Sequence, residues 1–296
     1  MKSKTAIVLF MIVLTLIPTG LLAQQVRQDA GTKLLIPSSV KSGSFTSFLA
    51  VLNLDTQANN IQITARGENG SSIGSKSVTI PVGGRYRATD ILAELGAGLG
   101  AFGPITIEST NNRVFTAVSE VTSSQGPGGF FPGVNVDTAW KTGFISEVVD
   151  TGNAGTAHTY RTNIGVNTVS GTVANVTVTL LDNSGAQVGV PVAFTVAGNG
   201  MTQKNLIMRD LLASGGGVTN QNGFLKITSN QPVIAWASKV ENGTGDPSFQ
   251  VGVGAATTVV SQIATGTQVA QNNVLFVGLG MLGPIAFCFA SRRKES

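Results

Sequence analysis

Short runs in which every second residue is apolar dominate the chain from Phe48 to Val240. In Ile61-Gln62-Ile63-Thr64-Ala65-Arg66, the residues Ile61, Ile63 and Ala65 fall on one face and Gln62, Thr64 and Arg66 on the other. A period of two predicts a strand buried on one side, as in an antiparallel sheet. Phe48–Asn53 precedes that run, the turn Asn69-Gly70 follows it, and a further strand is predicted over Ser77–Ile80. Next come the Gly83-Gly84 turn, the short apolar segment Ile91, Leu92, Leu95, and the closing strands Ile105–Glu108 and Val114–Val121.

The same order recurs about 115 residues later, and a repeat of that period sets the architecture. Its members are Asn163–Asn167, Val176–Leu180, the turn Asn183-Ser184-Gly185, Val192–Val196 and the turn Gly198-Asn199-Gly200. Ile207, Met208 and Leu211, then Phe224–Ile227 and Val233–Val240, complete it. Thr89–Leu95 and Asn205–Leu212 are the helical candidates, each with Thr or Asn ahead of it as a cap. Several short strands per unit, parted by turn residues, predict a β-sandwich. The chain is therefore expected to be all-β, with two tandem antiparallel β-sandwich domains over residues 24–138 and 139–255.

The two ends depart from this pattern. Lys2 and Lys4 precede an apolar core, Ala6 to Ile17, that is short for a bilayer and broken by Pro18 and Gly20, so residues 1–23 read as a signal peptide cleaved after Ala23. Residues 256–273 are rich in Ala, Thr, Val, Gln and Ser and are expected to form a stalk. Val274 to Ala290 holds 17 uncharged, mostly apolar residues, and residues 274–291 are expected to form one transmembrane helix. The tail 292–296 begins Arg292-Arg293-Lys294, which orients it to the cytoplasm by the positive-inside rule.

This layout of polar linker, apolar span and basic tail is similar to the C-terminal sorting tails of bacterial surface proteins such as the PEP-CTERM family. No Pro-Glu-Pro or Leu-Pro-x-Thr-Gly signal precedes the span, so a plain single-pass anchor is expected. Tyr160–Asn167 and Val233–Phe249, with the turn Gly243-Thr244-Gly245-Asp246-Pro247, resemble the uncharacterised tandem, loosely immunoglobulin-like β-sandwich repeats of secreted bacterial surface proteins. That resemblance implies an extracellular module and supplies no activity. In the first copy the corresponding turn reads Gln125-Gly126-Pro127, without an aspartate.

Charge and cysteine usage narrow the function. Of 19 basic residues five lie in the two ends, and of 15 acidic residues only Glu295 does, which leaves 14 of each sign in the body. A neutral body lacks the basic footprint of a nucleic-acid binder. The one cysteine, Cys288, lies in the predicted span, so the body is expected to fold without disulfides or a thiolate metal site.

Several strings imitate chemistry. Gly98-Leu99-Gly100-Ala101-Phe102-Gly103 matches G-x-G-x-x-G, but it follows a predicted helix and leads to a strand, the reverse of a dinucleotide site. Gly70-Ser71-Ser72-Ile73-Gly74 matches the nucleophile elbow, yet it lies between strands, and the single histidine, His158, sits in the other unit. One histidine cannot build a zinc cluster. Calcium needs only oxygen ligands, and Asp182, Asn183, Glu241 and Asp246 are weak candidates set against ordinary turn chemistry. Asn69, Asn175 and Asn242 begin glycosylation sequons, and Trp236 is expected in the core.

No cofactor, metal or catalytic set is therefore expected, and the chain is read as a non-enzyme. The leading expectation is an exported, membrane-anchored surface protein with a structural, adhesive or assembly role. The alternative is a carbohydrate- or calcium-binding accessory module of the envelope, and either could have an envelope protein or glycan as partner. Oligomeric state is left open.

Overall fold

The computed structural model describes residues 28–123 and 128–255. The leader to Ala23, the stalk 256–273, the span Val274–Ala290 and the tail Arg292-Arg293-Lys294 lie outside them. So does the turn Gln125-Gly126-Pro127. No helix among the described residues is long and apolar enough to cross a membrane.

The first repeat contains β1 (Lys33–Lys41), β2 (Phe45–Asn53), β3 (Asn59–Arg66), β4 (Ser72–Ile80) and β5 (Arg85–Ala88). After α1 (Ile91–Glu94) come β6 (Ala101–Ser109), β7 (Phe115–Ser123), β8 (Phe130–Pro132) and β9 (Val134–Asn135). A single 3₁₀ turn, Val136–Thr138, leads to the second repeat: β10 (Trp140–Asp150), β11 (Tyr160–Thr168), β12 (Ala174–Leu181), β13 (Gln187–Val196) and β14 (Met201–Lys204). It closes with α2 (Ile207–Leu211), β15 (Gln221–Glu241), β16 (Pro247–Val251) and β17 (Val253–Gly254).

In the first repeat a five-stranded sheet, β4-β3-β6-β1-β9, faces a four-stranded sheet, β5-β2-β7-β8. Leu34, Ile36, Ile61, Ile63, Ile105 and Ile107 from the first meet Leu49, Val51, Phe115 and Ala117 from the second in one buried core. Burying each aliphatic side chain contributes roughly 1.5–3 kcal/mol, which the alternation supplies at every second position. The second repeat copies the pairing: β13-β12-β15-β10-β17 on one side and β14-β11-β15-β16 on the other. Here β15 is one strand of 21 residues serving both sheets, where the sequence suggested two. Phe224–Ser229 pairs with β12, and Val233–Glu241 pairs with β11.

The duplication extends to irregularities. The β1–β6 register slips between Ile36 and Ser39, and the β10–β15 register slips between Ile145 and Val148, each bulge ending opposite a glycine, Gly103 or Gly223. A Cβ on Gly103 would lie 2.1 Å from the Arg66 carbonyl, and one on Gly223 would lie 2.5 Å from that of Leu181, so both bulges need glycine for the same backbone approach. Beside each bulge a buried hydroxyl bonds both backbone groups of one strand residue. Ser47 Oγ accepts from Val40 N–H and donates to Val40 C=O, and Thr162 Oγ1 does the same for Val149.

The two short helices are where expected, but their caps differ from the expectation. Asp90, not Thr89, accepts the Ala93 N–H at the start of α1. Ahead of α2, Leu206 is left-handed with φ 56° and makes no side-chain cap; its N–H goes instead to Asn163 Oδ1.

Candidate functional site

The surface where the two repeats meet is the most differentiated part of the described body. Outward-facing positions on β7 of the first repeat (Thr116, Val118) are half-buried. Their counterparts on β15, Ile234 and Trp236, are each only 2% exposed, because the first repeat covers them. Trp236 Nε1–H donates to Asn167 Oδ1 at 3.0 Å, and Asn167 Nδ2 donates across the junction to the Pro37 carbonyl at 2.8 Å. Phe131 of the first repeat meets Trp236 edge-on at 5.9 Å and Phe249 at 4.3 Å between ring centres. Leu35, Val134 and Ile234 form a small core of their own across the boundary, with Val136, Val169 and Val251 against it.

Backbone also meets backbone. Met201 N–H donates to the Glu68 carbonyl at 3.0 Å. A Cβ on Gly70 would stand 1.9 Å from the Gly198 carbonyl, and one on Gly200 would stand 2.2 Å from that of Glu68. Both glycines are therefore required for the turn after β3 to lie against the turn before β14. The junction is thus tightly packed, unlike a linker-separated pair.

Beside this contact a cleft of about 370 Å³ opens, lined by Phe45, Phe102, Phe131, Arg161, Gln203 and Asp246 among others. Arg161 Nη1 donates to Asn242 Oδ1 at 2.6 Å, and Asn242 is itself fixed by donating to the Gly152 carbonyl and Thr159 Oγ1. Aromatic walls with a guanidinium, an amide and a carboxylate can hold a small ligand with one apolar face and polar edges. The described contacts pair no nucleophile with a base.

The calcium candidates fall in two separate turns. Asp182 Oδ1 accepts from the Ser184 hydroxyl and from the Ser184 and Ala186 N–H groups, which holds its carboxyl below the usual range, the hydroxyl contributing most. Glu241 is likewise lowered, first by the Thr244 N–H, with the Thr244 hydroxyl and His158 N–H adding to it. A backbone bond from Glu241 N–H to the Asp246 carbonyl closes the same turn, and Asn183 stays with Asp182. Among the described residues no group of three or more His, Cys, Asp or Glu side chains is placed to hold a metal.

Ser72 opens β4, whereas His158 lies ahead of β11 in the other repeat with its backbone at φ 59°. Gly98–Gly100 lies in the loop into β6 and Ala101–Gly103 opens that strand, with Gly103 opposite the end of the β1 bulge. Of the sequons, Asn242 is buried, while Asn69 and Asn175 are exposed. Trp236 is core, as expected, but its role at the junction was not read from the sequence. The available signal was a tryptophan on the outward register of a strand whose repeat partner there is Val118.

No family model matches the chain, and no curated protein matches it. Among solved structures, the crystal structure of Thermotoga maritima 1070 is similar at 16% identity over 40% of this chain and 96% of that one, with a TM-score of 0.29. A glycosyl hydrolase family 2 member from Bacteroides cellulosilyticus is similar at 10% identity over 74% of this chain and 26% of that one, with a TM-score of 0.15. A beta-glucuronidase from glycoside hydrolase family 2 is similar at 10% identity over 77% and 24%, with a TM-score of 0.16. The chain spans about a quarter of the length of each hydrolase.

Proposed function

We propose that the chain is an exported, membrane-anchored surface protein that acts through its repeats, by structure, adhesion or assembly, and not by catalysis. The observation that carries this reading is the junction: one sandwich repeat docks on a copy of itself through a dedicated tryptophan, a bridging asparagine and close-approach glycines. Such a body resembles the tandem immunoglobulin-like repeats of bacterial surface proteins, and the signal-like start and basic-flanked terminal span supply the address. Gln28 Nε2 reaches the Gly252 carbonyl at 3.5 Å, so the first and last described segments of the body lie side by side. Protease treatment of intact cells should release the body, and deleting Val274 to Ser296 should send it into the medium; retention of the truncated chain inside the cell would refute export.

The cleft favours a second reading, a glycan-binding accessory module, because it joins aromatic walls to Arg161, Gln203 and Asp246. A glycan screen of the full chain, with and without calcium, separates the two. Binding that is lost in Arg161→Ala would put the cleft first.

A further inference from the structure

The internal junction joins two different faces of one repeat. Repeat 2 contributes the outer face of its four-stranded sheet, and repeat 1 contributes the region around β1, β9 and the turn after β3. Each repeat therefore keeps the other face. Superposing the strand registers identifies what those free faces carry. Asn167, Val169, Gly198 and Phe249 of the junction correspond to Leu52, Leu54, Val82 and Phe130 of repeat 1. These four side chains are 40%, 42%, 61% and 58% exposed. On the other side, Leu35 and Val134 correspond to Phe144 and Val253 of repeat 2, and Val253 is 56% exposed where Val134 is 2%. An array of repeats normally ends in polar caps. Here the end faces keep exposed apolar side chains at several positions that the internal junction uses, beside polar ones such as Thr116, the counterpart of Ile234.

We propose that a second copy of this chain occupies these faces, repeat 2 of one molecule docking on repeat 1 of the next by the same relation that joins the repeats within one chain. The contact is heterologous, so it does not close on two molecules and propagates head to tail. Polar positions agree with it. Met201, whose N–H bonds to Glu68, corresponds to Arg85, and Glu68 corresponds to Asn183, next to the Asp182 carboxylate. Gln203 and Ser38, which line one cleft, correspond to the exposed Arg87 and Glu147. These positions carry Arg85 and Arg87 on one face and Asp182 and Glu147, the latter 3.4 Å from Lys239, on the other, so the faces differ in the sign of their charges; the two close-approach glycines have glycine counterparts, Gly185 for Gly70 and Gly84 for Gly200. Opposed charges at a rim set register and partner choice more than affinity.

This inference deepens the assembly reading and rests on it, but its test does not depend on location. Full-length chains in detergent, carrying Cys288→Ser and differently tagged, would bear Leu54→Cys on one copy and Val253→Cys on the other. A short bis-maleimide should join the two tags and, with both substitutions on one chain, build a ladder of higher masses. Leu99→Cys, exposed outside both faces, should give neither. Leu54→Asp and Val82→Asp should leave monomers with an unchanged melting transition, and raising salt should lower the yield. Monomers in every arm, or joining of two Leu54→Cys chains as readily as of the mixed pair, would overturn the proposal. So would protection of the position-54 thiol in monomers that disappears when residues 256–296 are deleted, since the occupant would then be the chain's own end. Cross-linking together with failure of cell-surface release would uphold self-docking and refute the exported reading.

Discussion

Removing the amide of Asn167 tests whether the repeats form one mechanical piece. In Asn167→Ala the Trp236 indole N–H loses its acceptor and the Pro37 carbonyl loses its donor. Trp236 is 2% exposed and Asn167 0% exposed, so water does not replace either partner without opening the junction. A buried polar group left unmade costs about 1–3 kcal/mol, which for two such groups puts the substitution at roughly 2–6 kcal/mol. With a urea dependence of about 3 kcal/mol/M, the upper end of the usual range, the midpoint should fall by roughly 1 M. The matched control is Leu52→Ala, the same register position in repeat 1, which is 40% exposed and leaves no polar group without a partner, so in the monomer it should cost less than Asn167→Ala.

The decisive measurement is a double-mutant cycle with Trp236→Phe. That substitution removes the indole donor, so half of the Asn167→Ala penalty disappears with it, and the coupling should exceed about 1 kcal/mol. Additive losses, or an Asn167→Ala loss below about 0.5 kcal/mol, would refute the claim that the Pro37–Asn167–Trp236 chain fixes the repeats.

Arg209→Met should be the more severe charge deletion, because it leaves Asp150, 0% exposed, without the guanidinium that donates to both its oxygens; about 3–5 kcal/mol is expected by chemical denaturation. Gly200→Val should lower the melting temperature and expose the junction to proteolysis, since its Cβ would stand 2.2 Å from the Glu68 carbonyl. Tyr86, pushed up to about 12 chiefly by burial and by its bond to Glu94, holds its proton in the folded chain over a range where the unfolded chain has lost it. Its stabilisation is therefore complete below about pH 10 and is lost as pH rises towards 12, so melting temperature should fall across that window and fall less in Tyr86→Phe. Glu94 is lowered, first by its bond to Lys76, so its contribution holds above the ordinary glutamate range and fades as pH drops through and below it; Glu94→Gln should flatten the acid side of a thermal-melt profile.

Much of the fold was legible because alternation, unlike partner choice, is written locally. Ile61-Gln62-Ile63-Thr64 can be turned only one way once one face is buried, and the same holds for Val176-Thr177-Val178-Thr179. The bulges at Ile36–Ser39 and Ile145–Val148 were not legible, because a slipped register depends on which strand lies opposite. Nor was the continuity of β15, since Asn230-Gln231-Pro232 reads as a turn until both flanking segments are seen to belong to one strand crossing between sheets. The α2 cap failed for a similar reason: Asn205 is spent on Gln203, and the acceptor for Leu206 comes from β11, distant in sequence. The junction was least legible of all, because Asn167 and Trp236 look like an ordinary strand asparagine and core tryptophan until the other repeat is placed against them.

Comparison of the repeats separates what the fold demands from what this chain has added. At the end of the first strand and the neighbouring short helix, repeat 1 sets Lys41 3.7 Å from Asp90, while repeat 2 sets Asp150 2.5 Å from Arg209. The place keeps an ion pair and reverses its sign, so the shared requirement is to tie the helix to the strand end, whichever partner carries the charge. The hydroxyl beside each bulge and the glycine opposite it are kept outright, because backbone geometry allows no substitute there. Asn167, Trp236 and Gly165 belong to the other class. Their repeat-1 counterparts are Leu52, Val118 and Ala50, and a Cβ on Gly165 would lie 2.1 Å from the Trp236 ring, so the glycine and the tryptophan form one unit with the bridging asparagine. Residues that differ between copies and interlock within one copy serve the contact that copy makes. The same logic makes the exposed Leu52, Leu54, Val82 and Phe130 informative: they are apolar where the fold itself asks for nothing apolar, on the face that its sister repeat uses to bind.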